Sequence, residues 1–238
     1  MNILLVNDDG INSERLRFTK EILKKFGKVI VVAPSVEQSG KSSSITIGDI
    51  KYYKVPDPDG GVMFSVEGTP ADCVTVALYG LEVRPDLVVS GVNKGFNLGV
   101  DTMYSGTVGA AINAKYHGFN AIAISGDPDD FKLVEYNLEN VMNYLIKEEI
   151  YLGNYIINVN FPTKDHSRIN KVRNTHVYGI QYKHSKDVKA FSEDSYVLSL
   201  TRVNPIGDLP EDSDIYAVKT GDLSLSKITP HYKFTKRG

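Results

Sequence analysis

Tryptophan is absent from this chain and cysteine occurs once, at Cys73. One cysteine excludes an intramolecular disulfide framework and fits a reducing compartment. No apolar run approaches the roughly 20 residues that a bilayer-spanning helix needs. Neither sign of charge is in excess: 27 Lys and Arg stand against 29 Asp and Glu, a formal net charge of −2. Affinity for nucleic acid or for an anionic membrane needs a basic surplus, so neither is expected as a partner. The N-terminus lacks a basic segment and a small-residue cleavage site, so a cytoplasmic protein is expected. The five histidines form no metal-spaced cluster, which disfavours zinc. Internal repeats and low-complexity segments are also missing.

What is present is ample apolar sequence, 42% of 238 residues, enough for one large core. Residues 3–6 form a short apolar run that ends in Asn7-Asp8-Asp9-Gly10. Asn12 or Ser13 can cap a helix reaching about Phe26, with Leu16, Ile22, Leu23 and Phe26 on one face. Residues 28–33 (KVIVVA) are a second apolar run, stopped by Pro34. Two buried strands around one helix make a βαβ unit, hence a parallel sheet with a right-handed crossover. Residues 50–55 and 62–66 read as a hairpin around PDPDGG. Thr69-Pro70 reads as a helix start. Further strands are expected at 87–90, 121–125 and 155–159, with helices at 105–117 and 129–149. This alternation is the doubly wound α/β pattern. Beyond Phe161-Pro162 the rhythm changes. Segments 172–178, 195–203 and 215–219 read as strands without long helices between them. The expected division is therefore a core over 1–162 and a β-rich extension over 163–238.

In an open parallel sheet, ligands bind at the carboxyl ends of the strands. Four polar stretches follow expected strands there: 7–10, 35–44, 91–104 and 125–130. Asp8 and Asp9 have two readings. One is a turn with a helix-capping Asp. The other is half of a site for a hard cation such as Mg²⁺ or Mn²⁺, which prefers oxygen ligands and offsets the repulsion of adjacent carboxylates. Ser39-Gly40-Lys41-Ser42 has the tail of a P-loop, but Ser35 stands where that pattern needs its first Gly. A P-loop ATPase dependent on Lys41 is thus disfavoured, and a small-residue loop offering a hydroxyl and backbone N–H groups stays open beside a plain polar loop. In SGVNKGFNLGVDTMYSGTVGAA, Asn93, Gly95, Asn97, Gly99 and Asp101 alternate, combining close backbone approach with amide oxygens. Ser105-Gly106-Thr107 then opens a helix, where free N–H groups and hydroxyls suit an anion. An ordinary Ser/Thr cap remains the alternative for each residue singly. Oxygen ligands beside an anion site point to metal-assisted phosphoryl chemistry. Asn7 replaces the nucleophile that a D-x-D-G phosphatase needs, and Cys73, within DCVTVAL, reads as core.

LLVNDDGI, APSVEQSGKSSSIT, EGTPADCV and the 90–111 stretch resemble the signature blocks of the survival protein E (SurE) family, in order and at family-like spacing. The likeness thins after about residue 125, to NPIGD at 204–208, Ser213-Asp214 and ITP at 228–230. It implies a Rossmann-like three-layer core with a mostly parallel sheet and a β-rich extension used for oligomerisation, as a homodimer or homotetramer. It also implies a divalent-metal-dependent phosphatase of nucleoside 5′- or 3′-monophosphates, with one Mg²⁺ or Mn²⁺ per subunit. Carried over by position, Asp8, Asp9, Ser39 and Asn93 would ligate the metal. Gly40, Asn97, Ser105, Gly106 and Thr107 would surround the phosphate. Asp9, ahead of Asp8, would act as base, while Asn97, Ser105 and Thr107 would assist catalysis. Two departures stand out: Asn113, where the family usually has an acidic residue, and the spread GDLSLSKITP close, which bears on whether a residue such as His231 reaches the site. The alternative to an enzyme is a nucleotide or phosphate sensor that uses the same site without turnover.

Overall fold

The computed structural model describes residues 1–179, 183–192, 194–203 and 208–230. The opening apolar run becomes β1 (Asn2–Val6), with Ile3 to Val6 fully buried. α1 (Glu14–Leu23) is capped by Ser13, whose hydroxyl oxygen accepts from the Leu16 N–H. β2 (Lys28–Pro34) pairs parallel with β1, completing the expected βαβ unit. β3 (Lys51–Pro56) and β4 (Val62–Glu67) form the expected hairpin. α2 (Pro70–Thr75) begins with Pro and with a reciprocal cap between Thr69 and Asp72. β5 (Leu87–Lys94), α3 (Gly106–Tyr116), β6 (Ala121–Gly126), α4 (Lys132–Lys147) and β7 (Ile156–Asn160) follow.

The sheet has nine strands in the order β3-β4-β2-β1-β5-β6-β7, continued after β7 by two strands from the C-terminal region. The run from β4 to β7 is all parallel. Alternate residues of each strand serve opposite faces. Ile3 and Leu5 pack with Leu16, Leu23, Leu138 and Met142 of α1 and α4. Leu4 and Val6 pack with Val74, Val108 and Ala111 of α2 and α3. Each fully buried Leu, Ile, Val or Met among them contributes about 1.5–3 kcal/mol, which clamps helices to both faces and makes three layers. β2 lies on one side of β1 and β5 on the other, so the strand order reverses at the β1–β5 junction. Crevices open at such a switch point.

The chain after residue 162 is shared between two sheets. β8 (Val172–Thr175) and β11 (Leu223–Ile228) continue the core sheet, β11 running antiparallel to β7 and parallel to β8. β9 (Lys183–Ser192) and β10 (Ser195–Val203) form a separate antiparallel hairpin, which is the β-rich part of the extension. The expected strand at 215–219 is instead α5 (Asp214–Lys219). Ile215 and Val218 are buried three apart on its inner face, and Ser213 caps it by accepting from the Tyr216 N–H. The strand of this region is β11, whose Leu-Ser alternation buries Ser224 and Ser226 as completely as its leucines. The two hydroxyls stay hydrogen-bonded to Thr175 at 2.8 and 2.7 Å. Most of NPIGD, and His231, lie outside the described residues. Among the described residues, no helix is long and apolar enough to cross a membrane.

Candidate active site

Asn7 and Gly10 account for the turn after β1: the Asn7 Nδ2 donates to the Gly10 carbonyl at 3.0 Å. The carboxylates are not needed for it, and the cap of α1 is Ser13 rather than Asp8 or Asp9. Asp8 lies beside the start of α3, only 3% exposed. Its Oδ1 accepts from the Thr107 hydroxyl at 2.6 Å. Gly106 makes this approach feasible, because a Cβ there would lie 3.1 Å from both Asp8 Cβ and Pro70 Cγ. Burial, together with the charge of Asp9, pushes the Asp8 carboxyl up to about 6, against the pull of Thr107. Burial also raises Asp9, opposed by the Lys94 N–H, which donates to its Oδ2 at 3.3 Å, and by the Arg15 charge.

β5 delivers Asn93 across the switch point. Its Nδ2 donates to the Gly95 carbonyl at 2.9 Å. Asn97 is buried and held from several directions. Its N–H donates to Asn160 Oδ1 at 2.8 Å, and its carbonyl accepts from Asn158 Nδ2 and Asn160 Nδ2. Its own Nδ2 donates to Ser125 Oγ at 2.7 Å. Two residues on, the Gly99 N–H donates to Asp214 Oδ2 at 2.7 Å. Sequence reasoning missed Asn158, Asn160, Ser125 and Asp214 as supports of this loop. The available signal was the pair of asparagines in INVN, where an otherwise apolar buried strand carries two amides.

The 35–44 loop bridges the two halves of the site. The Gln38 N–H donates to the Asp8 carbonyl at 2.7 Å, and Ser42 donates to the carbonyls of Tyr104 and Met103, just before Ser105. Gly109 admits this loop, since a Cβ there would stand 2.2 Å from the Ser42 carbonyl oxygen. Ser39 is exposed and its hydroxyl donates to Glu37 Oε1 at 2.7 Å. Gly40 is exposed with φ 71°, and a Cβ there would meet nothing within 4 Å. Its need for glycine is thus the turn, not close approach to a neighbour. Ser105 caps α3 by accepting from the Val108 N–H at 3.0 Å, which leaves its own proton free to donate. Asn113 lies away from Asp8 and Asp9, its Nδ2 donating to the Ala71 carbonyl of α2.

The structure therefore joins Asp8, Gly106 and Thr107 directly, and links Asp9 to Asn93 through Lys94. Thr107 serves Asp8 rather than standing free for an anion. The donor set suits a hard divalent cation: two adjacent carboxylates that burial makes costly as anions, with the charge of Asp9 adding to the cost at Asp8 and that of Glu37 at Asp9. Among the described residues no three His, Cys, Asp or Glu side chains gather to hold an ion, so neutral oxygens such as those of Asn93 and Ser39 must complete such a set. A cavity of about 340 Å³ opens beside Asp9, lined also by Ser13, Glu14, Arg15, Glu37 and Lys94.

The sequence profile described as survival protein SurE matches residues 3–184. The 5′-nucleotidase SurE of Legionella pneumophila (strain Lens) is 36% identical over 98% of this chain and 94% of its own length. The 5′/3′-nucleotidase SurE of Wigglesworthia glossinidia brevipalpis is 35% identical over 96% of this chain and 91% of its own. The crystal structure of the SurE protein from Aquifex aeolicus superposes with a TM-score of 0.81 at 31% identity, covering 99% of this chain and 95% of that one. With the four signature blocks meeting at one sheet edge, this chain belongs to the SurE family.

Proposed function

We propose that this chain is a phosphoric monoester hydrolase acting on nucleoside 5′- or 3′-monophosphates with the help of one Mg²⁺ or Mn²⁺ per subunit. The relatives' names, 5′-nucleotidase and 5′/3′-nucleotidase, support the reaction class and the substrate. The observation that carries the reading is the contact of the Asp8 carboxylate with the N-terminus of α3. It sets a cation-seeking group against an anion-seeking one at the switch point.

Asp8, Asp9, Asn93 and, from the loop tied to Asp8, Ser39 would hold the cation. A divalent ion there supplies charge neutralisation and a more acidic bound water. The residues do the rest. The Ser105 hydroxyl and the first N–H groups of α3 receive the phosphoryl oxygens and stabilise the charge that develops on them. Asp9 takes the proton of the attacking water: it faces the cavity, whereas Asp8 is committed to Thr107. The buried asparagines of β7 keep Asn97 in place. No covalent intermediate is needed, in keeping with Asn7 at the position of the D-x-D-G nucleophile.

The test is phosphate release from a panel of nucleoside monophosphates with Mn²⁺, with Mg²⁺ and with EDTA. Activity is expected with metal and lost on chelation, and Asp8→Asn is expected to abolish it. Turnover that persists in EDTA or in Asp8→Asn refutes the mechanism. Tight monophosphate binding without phosphate release would establish the sensor instead. The cytoplasm is the proposed setting, and a homodimer or homotetramer the proposed assembly.

A further inference from the structure

Arg15 is the second residue of α1, where the positive end of the helix dipole disfavours a cation. Its guanidinium is also half withdrawn from water, so local energetics do not explain it. Tertiary contacts do. Nη1 donates to the Asn93 carbonyl at 3.1 Å, and Nη2 to the carbonyls of Asp127 and Pro128 at 2.8 and 3.4 Å. The guanidinium lies over the Phe131 ring, 4.5 Å from its centroid, and Phe131 packs edge-on against Phe18 of α1 at 5.3 Å. One planar fork thus ties the carboxyl end of β5 and the loop after β6 to the helix that follows Asp8 and Asp9. Asn93 is held at both levels, its backbone by Arg15 and its Nδ2 by Gly95. That orientation leaves the amide oxygen as the atom available to a cation.

We infer that Arg15 is a positioning residue, which fixes Asn93 at the carboxyl end of β5 and so sets how tightly the site holds its divalent ion. The inference rests on the proposed reading of Asn93 as a ligand. A lysine has the charge but carries its donors on one nitrogen, without the planar fork that reaches Asn93 and Asp127 from separate nitrogens. Residues that orient ligands in this way typically change metal affinity about 10–100-fold when removed.

The experiment titrates Mn²⁺ into the metal-free full chain by calorimetry for the wild type, Arg15→Met and Arg15→Lys. Phosphate release against Mn²⁺ concentration and thermal unfolding without metal accompany it. Arg15→Met is expected to weaken Mn²⁺ binding roughly 10–100-fold, with kcat at saturating Mn²⁺ changed only a few-fold. Arg15→Lys is expected to fall between it and the wild type. A lowered unfolding midpoint with wild-type Mn²⁺ affinity would mean a merely structural role and overturns the inference. If Arg15→Met does not fold, wild-type affinity in Arg15→Lys overturns it equally. A wild type that binds no Mn²⁺, or binds it without releasing phosphate, overturns the reading of the site itself. Unchanged variants of an active, Mn²⁺-binding wild type overturn this inference alone.

Discussion

Gly106 carries no side chain at the place where α3 comes closest to Asp8, and Thr107, next to it, spends its hydroxyl on that carboxylate. A Cβ at 106 would sit 3.1 Å from both Asp8 Cβ and Pro70 Cγ, so one of them has to give by a few tenths of an ångström. Gly106 belongs to α3, a helical backbone in which alanine is at no disadvantage, so the cost falls on the position of Asp8. Gly106→Ala should therefore lower kcat/KM by about tenfold or more, because displacements below 1 Å at a reacting centre already cost rate. Its thermal midpoint should stay near that of the wild type. Equal activity of the two proteins in the phosphate-release assay would show that Asp8 has room to spare.

At the scale of elements, the active edge is held from behind by parts of the chain far away in sequence. β7 supplies Asn158 and Asn160, and α5 supplies Asp214, whose carboxylate accepts from the N–H groups of Gly99, Tyr178 and Ile215. Burial pushes the Asp214 carboxyl above its ordinary value of 3.8, although those N–H groups pull the other way. The folded protein then binds this proton more tightly than the unfolded chain. Its contribution to stability is full below the unfolded value and is lost as pH rises through the folded one. Asp214→Asn removes this titration. In urea unfolding, the stability of the wild type relative to Asp214→Asn should fall as pH rises from about 4 towards neutrality. A difference that stays flat or grows over that range contradicts the assignment.

For the whole molecule, the β9–β10 hairpin stands apart from the nine-stranded sheet. Its register places Val188 opposite Leu198 and Ala190 opposite Tyr196, with Leu200 next along the same face. Leu198 is 57% exposed and Tyr196 68%. An isolated two-stranded ribbon is marginal in water, and an exposed apolar face of this kind marks an interaction surface. The proposed occupant is another copy of the chain, in the homodimer or homotetramer. Leu198→Asp combined with Tyr196→Ser should shift the protein to a smaller species by size-exclusion chromatography with light scattering, with far-UV circular dichroism unchanged. A double variant of wild-type mass would rule out this face as the contact.

Periodicity made the parallel core legible: short apolar runs ending in turn residues gave β1, β2, β5, β6 and β7, and cap signals gave the start of α2. It failed at 215–219, because Ile215 and Val218 three apart fit a helix face and Ser213 supplies a cap, whereas the strand lay in the Leu-Ser alternation that followed. Buried serines hid β11, since a polar residue reads as exposed until its partner, here Thr175, is known. Ordered motifs marked Asp8, Asp9, Asn93, Asn97 and the Ser105–Thr107 run. The sequence by itself determined which residue types were present for the proposed cation and phosphate chemistry and which strands would bring them to one edge. Only the tertiary structure decided how they are used: Thr107 on Asp8, and Arg15, Asn158, Asn160 and Asp214 as supports. Those roles depend on hydrogen bonds between residues up to 115 positions apart, and no local pattern encodes such a pairing.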